Sequence, residues 1–295
     1  MAQRHQAVAV LGIGAMGHGI ATSALRAGIP TVVWNRTPEA TRDLVEIGAE
    51  VAATAADAAR RAAIVVTMVT NADAVLSIAR EQGMLAAMAP GAIWVQMSTI
   101  GVAAIEQVAA LVEAERPDVV LLDAPVSGSK NPAEHGELTI FASGPSEARD
   151  RVGALFDALG QRTIWVGAVG AGSRLKLVNN TWLAFAAEGL ATSVALAHRL
   201  GLTTETLVAA LADGPIVSPW QSAKMQRIAK DDFSAQFALS LALKDVHLAV
   251  QAAADNNRFA VLAALADEWQ QLVDHGFGDY DISVVTRALE QQGGT

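Results

Sequence analysis

Val8-Ala9-Val10-Leu11-Gly12-Ile13-Gly14-Ala15-Met16-Gly17 is the stretch on which the fold turns. A β-rich run at residues 7–11 meets a G-x-G-x-x-G segment, and a helix-compatible stretch then continues through Ala27. A glycine pattern alone is weak, but the strand-to-helix junction is the context that a dinucleotide pyrophosphate requires. Gly12 permits the tight turn, Gly14 lets the backbone approach the phosphates, and Gly17 allows close helix–strand packing. Ile13, Ala15 and Met16 complete the loop, with the anion expected against free N–H groups of the helix start.

The next run, Thr31–Trp34, ends in Asn35-Arg36-Thr37. An NAD binder carries Asp or Glu near this point to hold the ribose 2′-hydroxyl. Here Arg36 offers a forked, charged contact to a 2′-phosphate, Thr37 offers a hydroxyl, and no carboxylate repels the phosphate. NADP(H) is therefore expected in preference to NAD(H). As a surface residue alone, Arg36 would carry no such meaning.

Further apolar runs at residues 63–69, 92–97 and 119–122 alternate with segments of helical character. Continuous apolar strands imply burial on both faces, hence a parallel sheet with helices on each side. Residues 138–142 and 163–166 read as two more strands closing this unit. Beyond Gly167 strand signals vanish, and a helix of about 29 residues is expected over 172–200. The predicted architecture is α/β: a Rossmann-type doubly wound, mostly parallel sheet over residues 1–167. An all-α domain over 168–295 follows, entered through a long interdomain helix. The Gly293-Gly294-Thr295 tail is expected to fray.

Composition narrows the chemistry. The chain has 295 residues, 52% hydrophobic and 17% charged, with a net charge of −9. That excludes disorder as the main state. The acidic balance argues against nucleic-acid and membrane-surface partners, which want basic patches. The apolar stretch at 181–197 is interrupted by Glu188 and reads as a buried helix rather than a span. With no cysteine, disulfides, zinc–cysteine sites and thiol catalysis are excluded. The six histidines lack metal-ligand spacing, so no metal is expected. An N-terminus that carries the glycine loop is not a cleaved leader, and a cytoplasmic location is expected.

A nicotinamide enzyme acting on a carbonyl needs a proton donor beside the developing alkoxide. The Tyr-x-x-x-Lys solution is excluded, because the only tyrosine is Tyr280. Lysine remains: in Gly172-Ser173-Arg174-Leu175-Lys176-Leu177-Val178-Asn179-Asn180, Lys176 and Asn180 share one helix face. A lysine among apolar residues at a domain junction is a candidate for a depressed pKa and for acid catalysis. A solvated lysine with a capping asparagine fits the same letters equally well.

Taken together, four motifs in order resemble the β-hydroxyacid dehydrogenase family. They are the glycine loop, Asp123-Ala124-Pro125-Val126-Ser127-Gly128-Ser129, Gly172-x-x-x-Lys176-x-x-Asn179-Asn180, and Lys244-Asp245 with Leu248-Ala249. The resemblance implies that Lys176 is the catalytic acid, with Asn180 binding substrate or orienting the lysine. Ser127, Gly128 and Ser129 would cradle a substrate carboxylate. Met68, Val69, Thr70 and Asn71 would touch the cofactor, as would Thr99 after Ser98, and Thr99 would also face substrate. Lys244 would lie toward the nicotinamide, its charge further lowering the pKa of Lys176.

Ser129 replaces a family glycine, and Ser127-Gly128-Ser129-Lys130-Asn131-Pro132-Ala133-Glu134 resembles the glyoxylate and succinic semialdehyde reductase branch, which prefers NADPH. Phe233 and Phe237 stand where that branch places a substrate-side aromatic, Phe237 being taken as the substrate contact. Leu177 replaces a common methionine conservatively. The expectation is an NADPH-dependent reductase of a small carboxylate-bearing aldehyde, forming a homodimer or homotetramer. The alternatives are a 3-hydroxyisobutyrate or tartronate semialdehyde dehydrogenase, an imine reductase, or a non-catalytic NADP(H)-binding sensor. Retention of Lys176 speaks against the last two. A 6-phosphogluconate-type enzyme would need a larger helical domain than the 128 or so residues after Gly167.

Overall fold

In a computed structural model, residues 6–211, 214–254 and 258–291 are described. The Gly293-Gly294-Thr295 tail lies outside them. The chain divides into two compact units, Met1–Lys176 and Leu177–Thr295, the division falling inside the helix Ala171–Arg199.

The first unit is built on six parallel strands: β1 (Val8–Leu11), β2 (Thr31–Trp34), β3 (Glu50–Val51), β4 (Ile64–Thr67), β5 (Ile93–Gln96) and β6 (Val120–Asp123). Their order is β3-β2-β1-β4-β5-β6, so the winding reverses between β1 and β4. An open α/β sheet binds its ligands beyond the strand carboxyl ends at such a reversal. Residues of one strand alternate between two buried layers. Val8 and Val10 pack with Ile20, Val152 and Phe156 on one face, while Ala9 and Leu11 pack with Val65, Trp94 and Ile105 on the other. Burial on both faces is why these strands read as unbroken apolar runs.

The two closing strands do not extend this sheet. β8 (Leu138–Ala142) and β9 (Gly160–Trp165) join β7 (Val126–Ser127) in a second, three-stranded sheet of order β7-β8-β9, with β7 antiparallel to β8. An antiparallel bridge between Asp123 and Ser143 links the end of β6 to the chain just after β8. The two-residue strands β3 and β7 are too short to give a periodicity, and sequence patterning misses them.

Among the described residues, helices make up the second unit apart from one isolated bridge, Ala238 to Asp281. Among the described residues no helix is long and apolar enough to cross a membrane. Its organising ion pair is buried: Lys224 Nζ lies 2.7 and 2.8 Å from the Asp281 carboxylate oxygens. Asp281 also accepts the backbone N–H groups of Gln236, Phe237 and Ser283, tying residues 236–237 to the C-terminal turn. Burial works against the Asp281 charge, but the hydrogen bonds from Lys224 and Ser283 hold its carboxyl below the ordinary range.

Removing one member of such a pair strands a buried charge. Lys224→Met is expected to cost about 3–5 kcal/mol in chemical denaturation. Arg80→Ala, which breaks only the exposed pair with Glu115, is expected to cost less than about 1 kcal/mol. With its folded pKa depressed, Asp281 stabilises the fold above the ordinary carboxylate range, and that stability fades as pH falls below it.

Candidate functional site

The glycine loop is shaped by close backbone contacts. Gly12 has φ +96°, and a β-carbon there would overlap the Met68 carbonyl oxygen and the Val69 side chain. One at Gly17 would overlap the carbonyl oxygen of Gly12. Gly14 is different: among the described residues, nothing beyond its own chain neighbours lies within 4 Å of where its β-carbon would stand. It is also the N-cap of the helix Ala15–Arg26, offers no side chain to that helix's first N–H groups, and has no acid beside it in the first turn. Open space over uncapped amides fits a pyrophosphate. Ala15 is exposed and Met16 half-buried beside it.

Asn35 braces this loop. Its Oδ1 accepts the Ile13 N–H at 2.9 Å, and its Nδ2 donates to the Thr37 carbonyl at 2.9 Å. Ile13 is therefore buried with its amide engaged, and Asn35 shapes the loop rather than presenting a free amide group. Arg36 and Thr37 stand exposed just beyond β2, and no hydrogen bond or ion pair holds the Arg36 guanidinium among the described residues. After β4, Met68 and Val69 are half-buried and Thr70 and Asn71 exposed, with Asn71 capping the next helix through the Ala74 N–H at 2.9 Å. Thr99 is half-buried after β5. These residues lie at the carboxyl ends of β1, β2, β4 and β5, as sequence reasoning predicts.

Asp123, the last residue of β6, ends up in an unforeseen place. Its carboxylate is fully buried and accepts the Ser173 N–H at 2.7 Å and the Ser173 hydroxyl at 2.8 Å, with the Ser143 hydroxyl at 3.3 Å. The Ser143 Oγ in turn accepts the Gly172 N–H at 2.9 Å. A β-carbon at Gly172 would overlap the Phe141 carbonyl oxygen, so glycine there lets the helix start press against the second sheet. Desolvation pushes the Asp123 carboxyl above the ordinary range, opposed by its bonds from Ser173 and Ser143. The helix Ala171–Arg199 is thus pinned at its first turn, and Lys176, 8% exposed, follows Ser173 by three residues. Asn180 lies one turn further along and is also buried.

The Ser127–Ser129 segment is held from the other side. Ser127 ends β7, and Gly128, exposed with φ +136°, is crowded by Leu138 and Pro132. Half-buried Ser129 is the N-cap of the helix Lys130–His135. That helix packs on Ala15–Arg26: a β-carbon at Gly19 would lie 2.6 Å from that of Ala133, and Ser23 donates to the Ala133 carbonyl at 2.7 Å. The segment and the glycine loop are therefore fixed to one helix.

Within the second unit, Asn180 Nδ2 donates to Asp245 Oδ2 at 2.5 Å, and Lys244 Nζ donates to Asp245 Oδ1 at 2.7 Å. Asn179 completes the chain by donating to Asn180 Oδ1 at 3.0 Å. Asp245 is buried and joins its neighbour Lys244 to Asn180, which lies 65 positions from Asp245 in sequence. Half-buried Phe237 is held by its amide on Asp281, 3.2 Å away, whereas Phe233 is buried under the Arg287 guanidinium at 4.4 Å. No group of three or more His, Asp or Glu residues suited to a metal occurs among the described residues.

Sequence reasoning assigned no role to Asp123, Ser173, Asp245 or Asp281. One signal was present for the first: the apolar runs of β4, β5 and β6 each close on a polar residue, Thr67, Gln96 and Asp123.

Comparison with known proteins gives a consistent set. The NAD binding domain of 6-phosphogluconate dehydrogenase matches residues 7–167. The region described as NAD-binding of NADP-dependent 3-hydroxyisobutyrate dehydrogenase matches residues 170–289. Glyoxylate/succinic semialdehyde reductase 1 of Arabidopsis thaliana is 30% identical over 285 residues, covering 96% of this chain and 98% of that one. NAD-dependent L-serine dehydrogenase of Pseudomonas aeruginosa is 31% identical over 292 residues, covering 96% and 97%. The crystal structure of 3-hydroxyisobutyrate dehydrogenase from Salmonella typhimurium has a TM-score of 0.85 at 28% identity, covering 96% and 99%.

The contrast between Gly14 and Gly17 is directly testable. Gly14→Ala is expected to leave unfolding free energy within about 0.5 kcal/mol of the parent while weakening NADPH binding, because its β-carbon enters only the open space. Gly17→Ala is expected to destabilise the unliganded protein by about 1–3 kcal/mol through overpacking. Equal loss of stability in the two would contradict the cradle.

Proposed function

Since the chain belongs to the β-hydroxyacid dehydrogenase family and is an NAD(P)-dependent oxidoreductase, we propose that it reduces a small carboxylate-bearing aldehyde with NADPH. Succinic semialdehyde and glyoxylate head the list. The observation that carries this reading is the Ser127-Gly128-Ser129-Lys130-Asn131-Pro132-Ala133-Glu134 segment, packed on the glycine-loop helix, in a chain similar over its length to a glyoxylate/succinic semialdehyde reductase.

When bound, the reduced nicotinamide supplies a hydride to the carbonyl carbon. Gly12, Gly14 and Gly17, with Ala15 and Met16, hold the pyrophosphate, Ile13 and Asn35 keeping the turn in shape. Arg36 and Thr37 take the 2′-phosphate. Residues 68–71 and Thr99 flank the remainder, and Lys244 takes the nicotinamide end. Ser127, Gly128 and Ser129 bind the substrate carboxylate, Phe237 packs on its chain, and the Lys176 ammonium protonates the carbonyl oxygen as the C–H bond forms. Carbonyl, hydride and proton together give the hydroxy acid, and neutral Lys176 regains its proton from solvent. Asn180, fixed on Asp245, orients substrate or lysine. The NADP preference is supported by Arg36 and Thr37 and not by the relatives' names, one of similar identity being named for NAD.

Relatives named for L-serine and 3-hydroxyisobutyrate favour a second reading, oxidation of a short 3-hydroxy acid at the same residues. Assembly of two or more copies is supported by the apolar stripe of the long helix, where Val178, Trp182, Phe185 and Leu196 are exposed, Trp182 at 78%. A row of exposed apolar side chains on one helix is what an interaction surface presents. A mass above one chain in sedimentation, reduced by Trp182→Lys, is the expected outcome.

A substrate panel with both cofactors tests the function. NADPH consumption with succinic semialdehyde or glyoxylate is expected, and Lys176→Ala should lower kcat roughly 10²–10⁴-fold. Arg36→Ala should reduce kcat/KM for NADPH by about tenfold or more, the size of a charged hydrogen bond, and leave NADH unaffected. Wild-type rates that are equal with the two cofactors would sink the Arg36 assignment.

A further inference from the structure

Thr67, Gln96 and Asp123 are in register across β4, β5 and β6, forming a row of polar side chains at the carboxyl end of an otherwise apolar sheet. All three are fully buried. Asp123 anchors the helix that carries Lys176. The other two do corresponding work on the loops that follow β4 and β5.

Gln96 grips the backbone two residues ahead with both halves of its amide. Its Oε1 accepts the Ser98 N–H at 2.7 Å, and its Nε2 donates to the Ser98 carbonyl at 2.8 Å. A carboxylate of the same size cannot make the second bond, and an aliphatic side chain can make neither. The grip fixes the bend at Ser98, whose hydroxyl accepts the Val69 N–H, just past the end of β4, at 2.8 Å. Thr67 closes the circuit. Its hydroxyl lies 3.4 Å from Gln96 Oε1 and accepts the Trp94 indole N–H at 3.0 Å. Met68 and Val69 are the residues against which Gly12 is packed without room for a β-carbon. The circuit therefore joins three loops: 12–17, 68–71 and 98–99.

We propose that Gln96, acting through Ser98, is a positioning residue for the dinucleotide, holding the loops after β4 and β5 at the spacing the cofactor needs. The proposal rests on the cofactor reading given above. It assigns Gln96 no contact with the ligand. Buried and fully satisfied, the network resists distortion, whereas each broken bond leaves a polar group without water to replace its partner. Loops supported in this way are preorganised before binding, and the ordering cost of binding falls.

The test uses NADPH binding to the intact protein without substrate, followed by fluorescence titration, alongside the thermal midpoint of the unliganded protein. Ser98→Ala removes the hydroxyl that holds Val69, and Gln96→Met removes the grip at similar volume. Both are expected to raise the NADPH Kd at least tenfold. In steady state, KM for NADPH should rise in parallel, with kcat at saturation within about threefold of the parent. Ser98→Thr keeps the hydroxyl and should bind within about threefold of wild type. Should Gln96→Met fail to fold, the Ser98 pair decides alone. Variants that lose thermal stability but keep the parental Kd would overturn the proposal, leaving Gln96 a purely structural residue. If wild-type protein binds neither NADPH nor NADH, the cofactor reading itself falls. Binding by wild type with unchanged affinity in Ser98→Ala refutes only the positioning role.

Discussion

A single buried carboxylate decides where the long helix begins. Asp123 closes β6 inside the first unit, out of reach of water, and a lone ion there would be prohibitively unstable. It is tolerated because its bonds come from the Ser173 backbone, the Ser173 hydroxyl and the Ser143 hydroxyl. The first of these is a helix N-terminal amide, whose partial positive charge favours an anion. Helix start and carboxylate thus stabilise one another, and the pairing fixes the register of Ala171–Arg199 against the sheet. Lys176 is placed by that register. Gly172 follows from the same constraint, since only a residue without a β-carbon leaves the helix close enough for the bonds to form.

Two further acids repeat this arrangement within the second unit. Asp245 gathers Asn180 and Lys244, and Asp281 gathers Lys224 with the backbone of residues 236–237. Each is a short-stemmed carboxylate, nearly or fully buried, that fixes one segment bearing a proposed functional side chain. The overall charge of −9 conceals this division of labour. Some acids organise the interior, while Arg36 stands exposed at the surface, where it is proposed to meet an anionic cofactor.

The fold was legible where sequence and burial share a period. Four-residue runs such as Val8–Leu11 are apolar throughout because both faces are covered, and the glycine loop announces its own turn. The separation of β8 and β9 into a second sheet was not legible, since an apolar strand looks the same whichever sheet it joins. The loops proposed to meet the cofactor were placed in the sequence by the strands they follow. Lys176 was singled out by elimination and resemblance, its letters fitting an ordinary surface lysine equally well. The roles of Asp123, Gln96 and Asp245 were hidden for a physical reason. Their partners Ser173, Thr67 and Asn180 lie 50, 29 and 65 residues away, and such pairings exist only once the chain has folded.

This chain is proposed to move a hydride from a nicotinamide to an aldehyde carbon while Lys176 supplies the proton. The most direct measurement supplies NADPH deuterated at C4, each face in turn, with succinic semialdehyde and with glyoxylate, and examines the product by mass spectrometry. One deuterium retained on the former carbonyl carbon, from one face only, with labelled product formed roughly 10²–10⁴-fold more slowly by Lys176→Ala, is the result expected. Hydroxy acid formed without deuterium from either face, or labelled product formed at the parental rate by the Lys176→Ala protein, would contradict the account.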